Sequence, residues 1–158
     1  MFPDHENALL MSMKDANHPL ASYSRHEFEL DDALWPSVEH YFQAIRFDDL
    51  TLRESVRCAE HPDTARKLAH KKRRQARKDW DAVQVAFMTR GVYVKACTHP
   101  EVAELLLASA DRPIVETSQY DYFWGCGQLG GGQKMLGCLL MEIRQALRDG
   151  RESNAIGG

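Results

Sequence analysis

The chain predicts a mainly α fold: a single compact helical domain over residues 1–150 with a minor short β element, then a loose polar tail at 151–158. Three observations support this. Apolar residues recur at helical spacing over most of the chain, proline and N-capping residues punctuate that pattern, and only two short stretches read as strands.

The elements follow in order. "HEFELDDALW" is a small hairpin, with Asp31-Asp32 as its turn. Pro36 before Ser37 is a helix start, with Ser37 able to cap, so Val38 to about Phe47 is expected to be helical. Thr51 to Glu60 and Pro62 to about Arg74 read as two more helices. Asp79 can cap a longer helix from Trp80 to about Cys97, whose Val83, Phe87, Gly91 and Val94 share one face. His99-Pro100 opens the next, with Leu106 and Leu107 inward, and "RPIVETS" is the second strand stretch. In the last helix Leu136, Leu139, Leu140, Ile143 and Leu147 form a stripe, and Gly150 is a stop signal.

Composition narrows the function classes. At 158 residues, with 44% hydrophobic and 27% charged residues, the chain can bury about two thirds of its unfolded surface. No apolar run approaches a membrane span, and the N-terminal stretch lacks the layout of a signal peptide, so a cytoplasmic protein with no membrane partner is expected. The four cysteines form no CxxC and the seven histidines no HExxH, which argues against a metal centre. A net charge of −3 excludes a globally basic nucleic-acid binder. One local exception is "HKKRRQARK", six cations in nine residues, which reads either as a phosphate or nucleic-acid contact or as a solvated helix end.

Two stretches carry candidate chemistry. In "WPSVEHYFQAIRF", Glu39 and Gln43 lie four apart on one helix face that Arg46 and Phe47 continue, while Tyr41 and Ile45 lie elsewhere. Such a face is either solvated or, if buried, needs a partner for every polar group. In "SQYDYFWGCGQLGGGQKMLG", Tyr120, Tyr122, Phe123 and Trp124 precede a glycine run at Gly130 to Gly132 and a helix start. That arrangement suits a backbone approached by an anion and rings stacked on a base, or simply a tight turn.

Together these stretches resemble a known family. "WPSVEHYFQAIRF" is similar to the WPTxEHYFQAxKF signature of the NADAR family, also called YbiA-like or domain of unknown function 1768. "YDYFWGCG" with "GGGQKMLGCLLMEIR" resembles its WGxG…GxNxLG element, and "PLASYSRHEF" and "KACTHPEVAELLLAS" resemble two further segments, in matching order from about Leu20 to Leu147. The resemblance implies a small mainly α enzyme without a cofactor, an N-glycosidase cleaving bonds at a ribose carbon. Its substrate would be a phosphoribosylamino-pyrimidine intermediate of riboflavin synthesis or an ADP-ribosylated base, free or in nucleic acid. It implies Glu39, Lys95 and Asp121 as catalytic residues. Trp35, His40, Tyr41, Phe42, Gln43, Trp124, Gly125 and Gly127 are implied as substrate contacts.

Three positions depart from the family pattern, each a substrate contact by alignment: Ser22 replaces an asparagine, Arg46 a lysine and Lys134 an asparagine. Arginine stays protonated and forms no imine, so imine chemistry would fall to Lys95 or Lys134. The departures also support an alternative, a catalytically weakened module that binds ADP-ribose or a nucleotide.

The chemistry of the site is independent of the resemblance. Cleaving a ribose C1–N bond builds positive charge on the sugar, which a nearby carboxylate such as Glu39 stabilises, while a desolvated lysine can trap the opened sugar aldehyde as an imine.

Overall fold

The computed structural model describes residues 7–118, 121, 123–125, 127 and 132–157, the last three by their backbone alone. Tyr120, Tyr122, Cys126, Gly130 and Gly131, singled out in the sequence, lie outside the described residues. The fold is mainly α, with six α-helices and four three-residue strands among the described residues. The chain divides into two compact units, Ser22–Thr98 and the pair of segments Met1–Ala21 and His99–Gly158.

The Ser22–Thr98 unit opens with a hairpin of β2 (Phe28–Leu30) and β3 (Ala33–Trp35), paired antiparallel. Asp31 and Asp32 turn it with φ of 55° and 61°, a left-handed pair that aspartate tolerates. Next comes α1 (Val38–Ile45), capped as expected: the Ser37 side chain accepts the His40 N–H at 3.2 Å. The helix ends two residues short of Phe47, which instead bridges to Ala76. All eight α1 residues are buried, because α2 (Leu50–Arg57), α3 (Pro62–Lys71) and α4 (Trp80–Thr98) surround it. Asp49 caps α2 and Pro62 begins α3, while the chain from Arg73 to Gln75 forms a 3-10 turn.

In α4 the buried residues are Trp80, Met88, Gly91, Val92, Lys95 and Ala96. Val83, Phe87 and Val94, expected inward, are only half-buried. Periodicity favoured the apolar positions and passed over Lys95, whose long stem packs like a hydrophobe. A Cβ at Gly91 would stand 2.9 Å from the Tyr41 ring, so glycine sets how closely α4 approaches α1.

The other unit holds β1 (Leu9–Met11), paired in parallel with β4 (Ile114–Glu116), together with α5 (Pro100–Ala108) and α6 (Met135–Gly157). Leu136, Leu139, Leu140 and Ile143 are the buried stripe of α6, and Leu147 is half-buried. The helix runs through Gly150 and its backbone stays helical over residues 151–157, where a polar tail was expected. A mid-helix glycine costs only about 1 kcal/mol relative to alanine, and Arg151 pairs with Glu104 of α5. No helix among the described residues is long and apolar enough to cross a membrane.

Candidate functional site

Within the Ser22–Thr98 unit the polar face of α1 is buried, and its groups find partners. Glu39 is 1% exposed. Its Oε2 accepts from the Ser22 hydroxyl at 2.9 Å and its Oε1 from Gln43 Nε2 at 2.8 Å. Arg66 of α3 stands 3.8 Å from Oε1, and the Glu39 N–H donates to the Ser22 carbonyl at 3.0 Å. The departure at Ser22 thus keeps a donor on the carboxylate.

Arg46, at the end of α1, lies with its guanidinium 4.9 Å from the Trp80 ring and 5.8 Å from that of Phe42. Burial lowers its pKa and the Glu39 carboxylate works against that. Tyr23 donates to Asp63 Oδ1 at 3.1 Å; burial first, then the charge of Glu39, raise its pKa well above the ordinary tyrosine value.

Lys95 is 1% exposed, and its Nζ donates to Ser24 Oγ at 2.7 Å. Desolvation lowers its pKa to about 7, so a large share of this amine is neutral near pH 7. The short segment Ser22-Tyr23-Ser24 therefore bonds to Glu39 through its first serine and to Lys95 through its second.

The remaining motif residues of α1 support the site from within the core. His40 is fully buried, its Nε2 facing the Ala59 carbonyl at 2.9 Å and its Nδ1 the Ser37 hydroxyl at 2.7 Å. A carbonyl only accepts, so Nε2 carries the proton, and burial lowers the imidazole's pKa. Both ring nitrogens are used in holding the start of α1. Tyr41 packs edge-on against Trp35 and Phe28, while Trp35 donates to the Leu30 carbonyl at 2.9 Å.

In the other unit a second buried carboxylate lies against Gly125. Glu116 is 0% exposed; its Oε1 accepts from the Met13 and Ser118 amides at 3.1 and 3.0 Å, and its Oε2 from Ser118 at 3.0 Å. A Cβ on Gly125 would overlap Glu116 Oε2 and stand 2.8 Å from the Ser118 carbonyl. Asp121 Oδ1 accepts from the Phe123 and Trp124 amides at 3.0 and 2.8 Å, which shapes the turn. Trp124 is buried with its ring edge-on to Phe123, Gly127 has φ 70°, and Lys134 has φ 54°, a conformation that asparagine favours and lysine rarely adopts.

The structure thus gathers Ser22, Glu39, Gln43 and Arg46 on or beside one helix, and in the other unit holds Asp121, Trp124 and Gly125 in one turn, with the Lys134 amide donating to the Gly125 carbonyl at 3.1 Å. Tyr23, Ser24, Asp63, Arg66, Trp80 and Glu116 were not singled out as site residues from the sequence. They lie on other elements, and no spacing along the chain links them to α1 or to the turn. The basic run lines a surface pocket of about 330 Å³ from Lys71 to Gln75, at the C-terminal end of α3, where the helix dipole favours cations. Among the described residues, no group of three or more His, Cys, Asp or Glu side chains is placed to hold a metal ion.

Comparison with known proteins adds a second line. The NADAR domain family model matches residues 3–148. The chain is 36% identical over 132 residues to an N-glycosidase of Nostoc punctiforme, covering 82% of this chain and 85% of that protein. It is 35% identical over 136 residues to the N-glycosidase YbiA of Escherichia coli, covering 86% and 85%. The NMR structure of E. coli YbiA superposes with a TM-score of 0.81 at 30% identity, over 95% of this chain and 94% of that one. A riboflavin biosynthesis protein of Vibrio vulnificus is 36% identical over 143 residues, which is 90% of this chain but 39% of that protein.

Proposed function

The chain belongs to the NADAR family, and from that premise we propose that it is a hydrolase acting on N-glycosyl compounds. Its reaction is the cleavage of the ribose C1–N bond of a phosphoribosylamino-pyrimidine or of an ADP-ribosylated base. The names of the relatives support the class of reaction. The observation that carries the reading is Glu39: a carboxylate buried to 1% exposure and oriented by three side chains, Ser22, Gln43 and Arg66.

As the C1–N bond breaks, its electron pair leaves with the nitrogen, which takes up a proton, and positive charge spreads over C1 and the ring oxygen. Glu39 stabilises that charge; water then adds to C1, loses a proton and leaves a reducing sugar. Because its donors already fix the carboxylate, no reorganisation is needed when the charge develops. Lys95 supplies a second route: its neutral amine attacks C1 and the base departs with a proton, the bond from C1 to the ring oxygen then opens to leave a protonated imine, and water hydrolyses that imine to free lysine and the sugar aldehyde. Arg46 cannot take that role and is assigned to binding. His40, Tyr41 and Trp35 position α1. Asp121, Trp124, Gly125 and Gly127 are assigned to the shape of their turn.

The test is incubation with both substrate classes and detection of released sugar phosphate or ADP-ribose by mass spectrometry. Release of free sugar is expected. Binding of either compound without release would instead support the weakened binding module.

A further inference from the structure

Two buried side-chain polar atoms, one on α1 and one at its C-cap, have no hydrogen-bond partner among the described residues. Gln43 is 6% exposed, and the chemistry of its neighbour orients its amide: a carboxylate oxygen accepts, so Nε2 faces Glu39 and the carbonyl end faces away. Among the described residues no group donates to Gln43 Oε1, and none accepts from Arg46 Nε three residues later. Native folds rarely leave buried polar atoms in that state. The two are of opposite kind, one lacking a donor and the other an acceptor, and they lie within one turn of helix.

Their position limits what completes them. Gln43 Oε1 lies one amide width beyond a 2.8 Å hydrogen bond, hence within about 5 Å of the Glu39 carboxylate. In a ribosyl group the 2-hydroxyl is on the carbon next to C1. A carboxylate facing C1 with an acceptor one amide away therefore matches C1 and its neighbouring hydroxyl. A phosphate would satisfy Arg46 but present only further acceptors to Gln43. A vicinal diol satisfies both, since each hydroxyl donates and accepts.

We infer that Gln43 Oε1 accepts a hydrogen bond from the 2-hydroxyl of the ribosyl group while Arg46 Nε donates to the adjacent 3-hydroxyl, making the site selective for ribose over 2-deoxyribose. The inference rests on the N-glycosidase reading and names which groups of its substrate α1 holds. A bond to the 2-hydroxyl also strengthens as charge develops at C1, so it contributes to rate as well as to binding.

Calorimetric titration with ribose 5-phosphate and 2-deoxyribose 5-phosphate tests it. The wild-type protein is expected to bind the ribose compound about tenfold or more tightly, the effect of leaving a buried acceptor unmatched. Gln43→Met, close in shape but without the acceptor, is expected to bring the two affinities within about twofold, with circular dichroism checking the fold. Equal wild-type affinity for the two sugars, or no saturable binding of ribose 5-phosphate at millimolar concentration, overturns the inference without any variant. A preference that survives in folded Gln43→Met overturns it too. Failure of the N-glycosidase reading is separate, being seen as no sugar released from an intact N-glycoside whichever sugar phosphate binds.

Discussion

Two glutamates, one in each unit, are almost equally buried, and their donors differ. Glu39 takes its hydrogen bonds from the side chains of Ser22 and Gln43, with Arg66 nearby. Glu116 takes its own from the backbone amides of Met13 and Ser118. Backbone donors tie a carboxylate to the path of the chain, so Glu116 holds β1, β4 and the following turn together. Side-chain donors orient a carboxylate without using it to hold the backbone, and near Glu39 the polar atoms Gln43 Oε1 and Arg46 Nε lack partners among the described residues. The proposed role of Glu39 therefore rests on its side-chain donors and not on burial, which Glu116 shares.

The comparison breaks most visibly at Lys95. Borohydride added during turnover is expected to fix the sugar on the peptide containing Lys95, and Lys95→Arg to reduce turnover on the order of 1000-fold. No adduct, together with an active Lys95→Arg, leaves direct hydrolysis assisted by Glu39 as the mechanism. Trapping at Lys134 would move the chemistry to the other unit.

Stability against pH sharpens the same point. The folded pKa of Lys95 is lowered to about 7 from its ordinary 10.5, so between those values the unfolded chain binds a proton that the folded one does not. The cost of burying the amine is full below pH 7 and is relieved as pH rises through the window. Denaturant unfolding is expected to show stability rising by about 1.4 kcal/mol per pH unit from this group. Lys95→Met is expected to remove that slope and to be more stable than wild type at pH 7.

On the structural side, Trp124→Ala is expected to cost about 3 kcal/mol in denaturant melts while the folded fraction keeps its ligand affinity. A drop in affinity without loss of stability would place the ring on the base instead. The smallest effect is at Asp121, where Ala removes the acceptor for two amides and costs about 1 kcal/mol, while Asn keeps an acceptor and most of the stability. Loss of turnover in a fully stable Asp121→Asn would return that residue to the chemistry.

Local signals were legible in the sequence. The Ser37 cap, the Asp31-Asp32 turn and the shared face of Glu39 and Gln43 are each set within four residues of chain, where geometry follows from spacing. What escaped is non-local. Arg66 and Tyr23 reach the site from other elements, and the parallel pairing of β1 with β4 joins strands about a hundred residues apart. Of the strands among the described residues, β1 alone went unread, its three residues carrying too little alternation, whereas the hairpin and β4 lie within the two stretches read as strands. The burial of Lys95 ran against the rule that discounts charged residues on a helix's inner face. Gly150 misled because the stop signal is statistical, and a helix tolerates an interior glycine at a small penalty.

The most direct measurement compares Glu39→Gln with Glu116→Gln in parallel, recording sugar release and the melting curve of each. Both changes keep volume and remove a charge. Glu39→Gln is expected to lose about 100-fold or more in turnover with its melting curve little changed. Glu116→Gln is expected to melt lower by about 1–3 kcal/mol while the folded protein keeps its turnover. Normal turnover in Glu39→Gln, or loss of turnover in a stable Glu116→Gln, would contradict the account.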